Sequence, residues 1–367
     1  MNLIDLGWND FFEAHFESID IKDVKPARIA VQQKDRYIVY CEKGELRAEI
    51  SGKFRHKALS KADYPTVGDW VAVTVKPEGD GAVIQSLLPR KSKFSRKAVL
   101  AGGPKYGDGK TEEQVLSANV DSAFIVSGLD GEYNLRRLER YVAVAYDSGT
   151  SPVVLLNKSD LCEDVDSVIS EVESTVIGVS VHSVSAIIKD SLEILKDYLG
   201  KGKTVSFLGS SGVGKSTIIN SLLGYQRQRT GEVRDYDGKG RHTTTYRELI
   251  VLPEEGILID TPGMREIEIW GDEEGLSKAF DDIDKLTAQC RFNDCGHGNE
   301  PGCAVKEALD KGELDADRYQ NYLKLQKELR RLALRKMGKE AHYQKLQGRK
   351  FASMVKEVKK LKNFKRK

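Results

Sequence analysis

Gly209-Ser210-Ser211-Gly212-Val213-Gly214-Lys215-Ser216, with Thr217 next, fits the spacing G-x-x-x-x-G-K-[ST]. Each residue type in that pattern has a chemical use. Gly209, Gly212 and Gly214 let the backbone curl so that N–H groups point at phosphate oxygens, an approach that side chains would obstruct. A helix starting near Lys215 adds the positive end of its dipole. The Lys215 ammonium is a mobile cation for β- and γ-phosphates, and the Ser216 hydroxyl is a hard ligand for nucleotide-bound Mg2+. The apolar segment TVSFLG precedes the loop and a helical pattern over Ser216–Leu223 follows it. Strand, loop and helix in that order are the context that such a phosphate loop requires.

A second pattern selects the base. Asn157-Lys158-Ser159-Asp160 follows the apolar run PVVLLN. A carboxylate at Asp160 accepts hydrogen bonds from the N1–H and the 2-amino group of guanine. Adenine has neither donor, and a site built for such donors rejects a ligand that lacks them. Asn157 orients the loop and meets the purine edge, while the Lys158 stem covers its face. Ser185-Ala186, after GVSVHSV, falls where a second base contact belongs.

Asp260-Thr-Pro-Gly263 ends the run GILID and fits D-x-x-G. Here Asp260 bonds to a Mg2+-bound water and the Gly263 N–H reaches the γ-phosphate. The long polar stretch between the two phosphate motifs contains Arg241-His242-Thr243-Thr244-Thr245. A hydroxyl from Thr243, Thr244 or Thr245, with Thr244 taken as the candidate, binds Mg2+ and senses the γ-phosphate. Met264 follows Gly263, where many GTPases place a glutamine that orients the attacking water, and a thioether cannot do that. Intrinsic turnover is therefore expected to be slow, with His242 the candidate for orienting water and Lys215 neutralising charge.

Cys290-x4-Cys295-x-His297-x5-Cys303 supplies three thiolates and one imidazole. Four soft or borderline ligands suit tetrahedral Zn2+, and a closed set of four leaves no catalytic position, so the expected metal is structural. The competing reading is a chance Cys-rich loop or a disulfide. Cys41 and Cys162 stand alone and read as small buried apolar residues.

The elements that must position these groups fall into blocks. Residues 1–24 carry one amphipathic run, with Leu6, Phe11, Phe12 and Phe16 at helical spacing, and form an N-terminal extension. Residues 25–92 hold five short strand-like runs separated by turns, the pattern of a small all-β barrel. Tyr37, Tyr40, Phe54, Arg47, Lys53 and Arg55 are its candidates for an RNA-binding face of stacking aromatics and cations. Lys91–Lys110, glycine-rich and basic, reads as a linker or mobile loop. From about 118 to 271 buried strands alternate with helices, which implies a mostly parallel sheet covered on both faces. The block 93–273 is thus a nucleotide domain, 274–334 a helical zinc-binding domain, and 335–367 a tail.

That tail is strongly basic. Arg335–Lys367 carries thirteen Lys or Arg against two Glu, although the 367-residue chain has a net charge of only +2. A basic arm on an acidic body points to nucleic acid. No apolar run approaches the roughly 20 residues of a membrane-spanning helix, and the N-terminus lacks a secretory pattern, so a soluble cytoplasmic protein is expected.

The order of motifs is base reader, phosphate loop, threonine run, D-x-x-G. Ordinary small GTPases start with the phosphate loop and end with the base reader, so the parts are circularly permuted, which a compact doubly wound domain tolerates. With these motifs, the R-H-T-T-T run and the cysteine cluster followed by Ala304-Val305, the chain resembles the circularly permuted, small-ribosomal-subunit-dependent GTPases of the RsgA/YjeQ family. The resemblance covers nearly the whole chain. It implies an N-terminal OB-fold, a central GTPase domain and a C-terminal zinc domain. It also implies GTP hydrolysis stimulated by the small ribosomal subunit, rRNA binding, late small-subunit maturation, and His242 in catalysis. The extended aromatic N-terminus and the long basic tail depart from the family's pattern. Permutation runs D-x-x-G directly into the zinc domain through Glu266–Trp270, so a γ-phosphate-dependent change at Gly263 is expected to move that module. A monomer without membrane contact is the expected state. Competing readings are a GTP-binding assembly factor with little hydrolysis, and a P-loop ATPase or kinase, against which Asp160 argues.

Overall fold

A computed structural model describes residues 1–33, 36–77, 79, 81–99, 111–131, 133–224, 247–252, 256–260, 273–298 and 300–334. His242, Thr243, Thr244, Thr245, Gly263, Met264, Glu266–Trp270 and the tail 335–367 lie outside the described residues.

The chain opens with helix α1 (Asp10–Glu17), started by Asn9, whose side chain accepts from the Phe11 N–H. Leu6 lies in the turn before it, and Leu6, Phe12 and Trp8 pack on Trp70. The Trp8 and Trp70 rings meet edge to face, their centroids 4.7 Å apart. The extension is therefore docked on the barrel.

Strands β1 (Lys25–Gln33), β2 (Arg36–Cys41) and β3 (Gly44–Ile50) form a meander. Helix α2 (Gly52–Lys57) follows, then β4 (Trp70–Val75) and β5 (Gly81–Leu87). The order β1-β2-β3-β5-β4 closes by β4 pairing with β1. This is the closed five-stranded barrel of an OB-fold. Its strands alternate as a half-buried sheet must: in β3, Leu46, Ala48 and Ile50 are buried, and Glu45, Arg47 and Glu49 are exposed. The interior takes Tyr37, at 3% exposure, which corrects its expected place on an RNA face. Phe54 packs under the same core, and Tyr40 packs against the aromatic cluster around Trp70. Of the six candidates, Arg47, Lys53 and Arg55 are exposed.

Lys91–Lys110 is not simply a linker. Lys93–Val99 is strand β6, antiparallel to β7 (Thr111–Ala118). Lys93 pairs with Glu113 at 2.7 Å across the ladder, and Phe94 is fully buried; residues 100–110 of the expected linker lie outside the described residues.

The nucleotide domain follows as β8 (Ser122–Gly128), α3 (Leu135–Asp147), β9 (Ser151–Asn157), α4 (Val165–Thr175), β10 (Ser180–Ser183), β11 (Thr204–Leu208), α5 (Lys215–Leu223), β12 (Arg247–Leu252) and β13 (Gly256–Asp260). The strands β10-β9-β8-β11-β13 run parallel in that order. Successive residues serve opposite faces: Ala123 and Ile125 join the core containing α3, while Phe124 and Val126 join the core containing Ile218 and Ile219 of α5. β12 is an antiparallel addition, and it pairs in turn with β1, Val31 opposite Glu248. Barrel and nucleotide sheet are thus one continuous ladder.

Arg28, 1% exposed, pins that seam. Its guanidinium donates to the carbonyls of Gly68 at 3.1 Å, Leu6 at 2.6 Å and Asn119 at 3.0 Å, one each from barrel, extension and nucleotide domain. Burial lowers its pKa to about 10, opposed by Asp121 and Asp69.

Helices α6 (Glu274–Ala279), α7 (Asp281–Ala288) and α8 (Ala304–Lys311), with a helix over 316–334, complete the described chain. Phe280, Ile283, Val305, Leu325 and Leu329 share one apolar cluster with Leu138, Tyr141 and Val142 of α3. Arg318 reinforces the joint, donating to the buried Glu139 of α3 at 2.8 Å and to Asp282 at 2.6 Å. Cys41 is buried as expected, whereas Cys162 is only half-buried because it caps the short turn Ser159–Leu161 at the surface. No helix among the described residues is long and apolar enough to cross a membrane.

Candidate nucleotide site and metal cluster

The motif residues sit at the C-terminal ends of neighbouring parallel strands, where open α/β sheets bind ligands. Asn157 ends β9, the loop Gly209–Gly214 leaves β11, and Asp260 ends β13. Gly209, Gly212 and Gly214 have φ of 140°, 83° and 96°, a region glycine enters without steric cost. A Cβ at Gly214 would stand 2.1 Å from Asn157 Nδ2, and one at Gly209 would stand 2.4 Å from the Val126 carbonyl. Glycine is needed there for space as well as for conformation. Helix α5 starts at Lys215 with Gly214 as its cap and no side-chain hydrogen bond to its first turn. Those N–H groups, which an N-cap side chain would otherwise satisfy, face the loop. The Lys215 ammonium donates to the Gly209 carbonyl at 2.9 Å and to the Ser210 carbonyl, so it lies folded across the loop. Ser211, Ser216 and Thr217 are half-exposed around it, and Val213 is buried in the core under α5.

Asn157 is the joint of the site. It is 1% exposed, its Nδ2 donates to the Val213 carbonyl at 2.8 Å, and its Oδ1 accepts from the Ala186 N–H at 3.0 Å. One carboxamide therefore fixes the phosphate loop, the base-reader strand and the Ser185-Ala186 segment relative to each other. Ser185 Oγ donates to Asp160 Oδ1 at 2.5 Å, which holds one carboxylate oxygen. Lys158 has φ of 64°, a left-handed turn that throws its side chain back, and its ammonium pairs with Asp130. Three partners were not foreseen from sequence: Asp130 after β8, Ser191, whose Oγ accepts from the Ser185 N–H at 2.9 Å, and Ser221, whose Oγ donates to the Ala186 carbonyl at 2.8 Å. Short polar side chains at such distances in sequence carry no motif; only Asp130, at the end of a buried strand, offered a signal.

Cys290, Cys295, His297 and Cys303 converge, with one ligand atom of each lying within 4.8 Å of all the others. His297 Nδ1 is 3.6 Å from both Cys290 Sγ and Cys303 Sγ. A tetrahedral ion with Zn–S of about 2.3 Å and Zn–N of about 2.0 Å has an N···S edge of about 3.6 Å, so the residues fit Zn2+. His297 takes φ of 56°, which bends its imidazole inward. Burial raises the Cys290 thiol, but the N–H groups of Val305 and Ala304 outweigh it and bring its pKa below the ordinary value. The His297 N–H favours the Cys295 thiolate, yet desolvation and the thiols of Cys303 and Cys290 push Cys295 up to about 11. Three crowded thiolates repel each other, and a dication is what relieves that repulsion.

A family model described as RsgA GTPase matches residues 87–270. The small ribosomal subunit biogenesis GTPase RsgA of Opitutus terrae is 46% identical over 337 residues, covering 89% of this chain and 90% of that protein. The chain belongs to the RsgA GTPase family. Among solved structures, YjeQ from Thermotoga maritima is similar with a TM-score of 0.61 and 28% identity, covering 83% of this chain and 98% of that one. YloQ, described as a circularly permuted GTPase, is similar with a TM-score of 0.59 and 25% identity, covering 84% of this chain and 96% of that one. The permuted order of motifs along β9, β11 and β13 is the order expected of an RsgA GTPase.

Proposed function

We propose that the chain binds GTP across the ends of β9, β11 and β13, hydrolyses it to GDP and phosphate, and acts in late maturation of the small ribosomal subunit. The observation that carries this reading is the Asn157 carboxamide, which ties the candidate base reader and the phosphate loop together. Asp160 reads guanine, with Ser185 and Ala186 beside it and Lys158 over the purine. The N–H groups of Gly209 through Ser216, together with the Lys215 ammonium, surround the β- and γ-phosphates, and Thr217 lies over the α-phosphate side. Mg2+, held through the Ser216 hydroxyl, Thr244 and the Asp260 water, supplies charge neutralisation in phosphoryl transfer. Gly263 contacts the γ-phosphate and His242 orients the attacking water. The cluster at Cys290 holds one structural Zn2+.

The partner we infer is the small subunit and its rRNA, met by exposed Arg47, Lys53 and Arg55 of the barrel, the zinc module and the tail; the protein acts as a cytoplasmic monomer. The names of the relatives support this reading. The test is GTP and ATP turnover by the purified protein, alone and with isolated small ribosomal subunits. GTP-selective turnover that rises strongly with subunits is expected, and His242→Ala is expected to remove most of that stimulated rate. Turnover that ignores the subunit, or that prefers ATP, overturns the corresponding part.

A further inference from the structure

The metal cluster carries a side-chain pair that its structural role does not use. Arg291 and Phe292 lie between the ligands Cys290 and Cys295, and both are exposed, Phe292 at 42%. The Arg291 guanidinium stands 5.5 Å from the centre of the Phe292 ring, within cation–π range. Among the described residues, the apolar clusters that hold the chain together do not include Phe292.

A single exposed phenylalanine is unremarkable on a flexible surface, but this backbone is fixed on both sides. The Arg291 N–H donates to the Gly302 carbonyl at 3.0 Å, and the Phe292 carbonyl accepts from the Cys295 N–H at 3.2 Å. Gly302, with φ of 78°, lies against the Arg291 stem, where a Cβ would come within 3.1 Å of Arg291 Cβ. The ring is therefore displayed from a turn pinned by two metal ligands and two backbone hydrogen bonds. Its presentation to solvent carries little entropic penalty on binding.

We infer that Phe292 and Arg291 form a platform for one unpaired nucleotide of RNA, the base stacking on the ring and the guanidinium meeting the adjacent phosphate. A base has a π-face whatever its sequence, and single-stranded nucleic acid is held by this combination of aromatic face and cation. This inference rests on the small-subunit reading above, and deepens it by naming two residues and the form of RNA they take.

The test uses the full-length, zinc-loaded protein with a GTP analogue and isolated small ribosomal subunits as the probe. Phe292→Ala is expected to weaken subunit binding about tenfold, while Phe292→Trp keeps wild-type affinity, because stacking is worth that order per base. Phe292→Ala is expected to leave the salt dependence of binding unchanged, whereas Arg291→Gln lowers its slope by about 1. Zinc content and melting temperature measured on each variant separate a lost contact from a misfolded turn. Wild-type affinity in zinc-replete Phe292→Ala overturns the platform alone. Failure of the wild-type protein to bind subunits overturns the small-subunit reading, and the platform with it.

Discussion

Asn157 and Val213, 56 residues apart in sequence, are joined by a 2.8 Å hydrogen bond from carboxamide to carbonyl. The end of β9 is thereby tied to the phosphate loop. Asn157→Ala leaves the Val213 carbonyl and the Ala186 N–H buried and unpaired, at about 1–3 kcal/mol each. GDP affinity measured by calorimetry is expected to fall at least about tenfold, with a lower melting temperature. Gly214→Ala should abolish binding, since its Cβ would collide with Asn157 Nδ2 and its φ of 96° is unsuited to alanine.

Asp160→Asn is expected to exchange base preference. A carboxamide can donate to the 2-oxo group of xanthine and no longer offers two acceptors to guanine. Competition binding should show GDP affinity falling by a factor of about 100 and xanthosine diphosphate gaining. Unchanged guanine selectivity would remove Asp160 from the base site.

Metal removal should be felt beyond the cluster. Val305 and Leu325 share one apolar core with α3, so a chelator is expected to lower the melting temperature of the nucleotide domain as well as loosen 274–334. The pH sign follows from ligand protonation: binding needs thiolates, protons compete for them, and zinc retention should weaken as pH falls, read by a colorimetric chelator.

Much of this architecture was legible in the residue pattern, and the exceptions have physical causes. Apolar runs such as PVVLLN and GILID, and the glycine spacing 209–214, are local signals, and they fold into β9, β13 and the loop. The β6–β7 hairpin was hidden because the basic residue Lys93, which reads as linker composition, pairs with Glu113 across its ladder. Tyr37 could not be assigned inward or outward without the strand register, and a one-residue shift would reverse it. The partners Ser191 and Ser221 were invisible because long-range pairing of short polar side chains has no sequence period, whereas Asp130 follows a buried strand and offered a signal.

Arg318→Ala should destabilise the protein by about 1–3 kcal/mol, because Glu139, 1% exposed, loses its more deeply buried guanidinium and keeps only Arg136 and Asn321. Denaturant titration measures this. A Glu139→Leu, Arg318→Met double variant should recover only part of the loss, because Asp282 still lacks the Arg318 guanidinium.

His182 gives a mild acid sensitivity. Its Nε2 lies 2.6 Å from the Tyr198 hydroxyl, and burial lowers its pKa below 6.5 against the pull of Asp197. The neutral ring is favoured in the fold, so the unfolded chain takes up the proton first. This stabilisation is complete above pH 6.5 and is lost as pH falls through the lower folded value. The melting temperature of the wild type relative to His182→Gln should decline across that window.

The ladder that joins β12 to β1 gives the barrel a second duty. Without it, the nucleotide sheet would end in β12 with a row of open N–H and C=O groups, a template for other strands. The barrel is thus an edge guard for the nucleotide sheet. A fragment begun after residue 92 would carry that sticky margin into solution, and self-association of such a fragment would reflect the missing guard and not an oligomer of the whole chain.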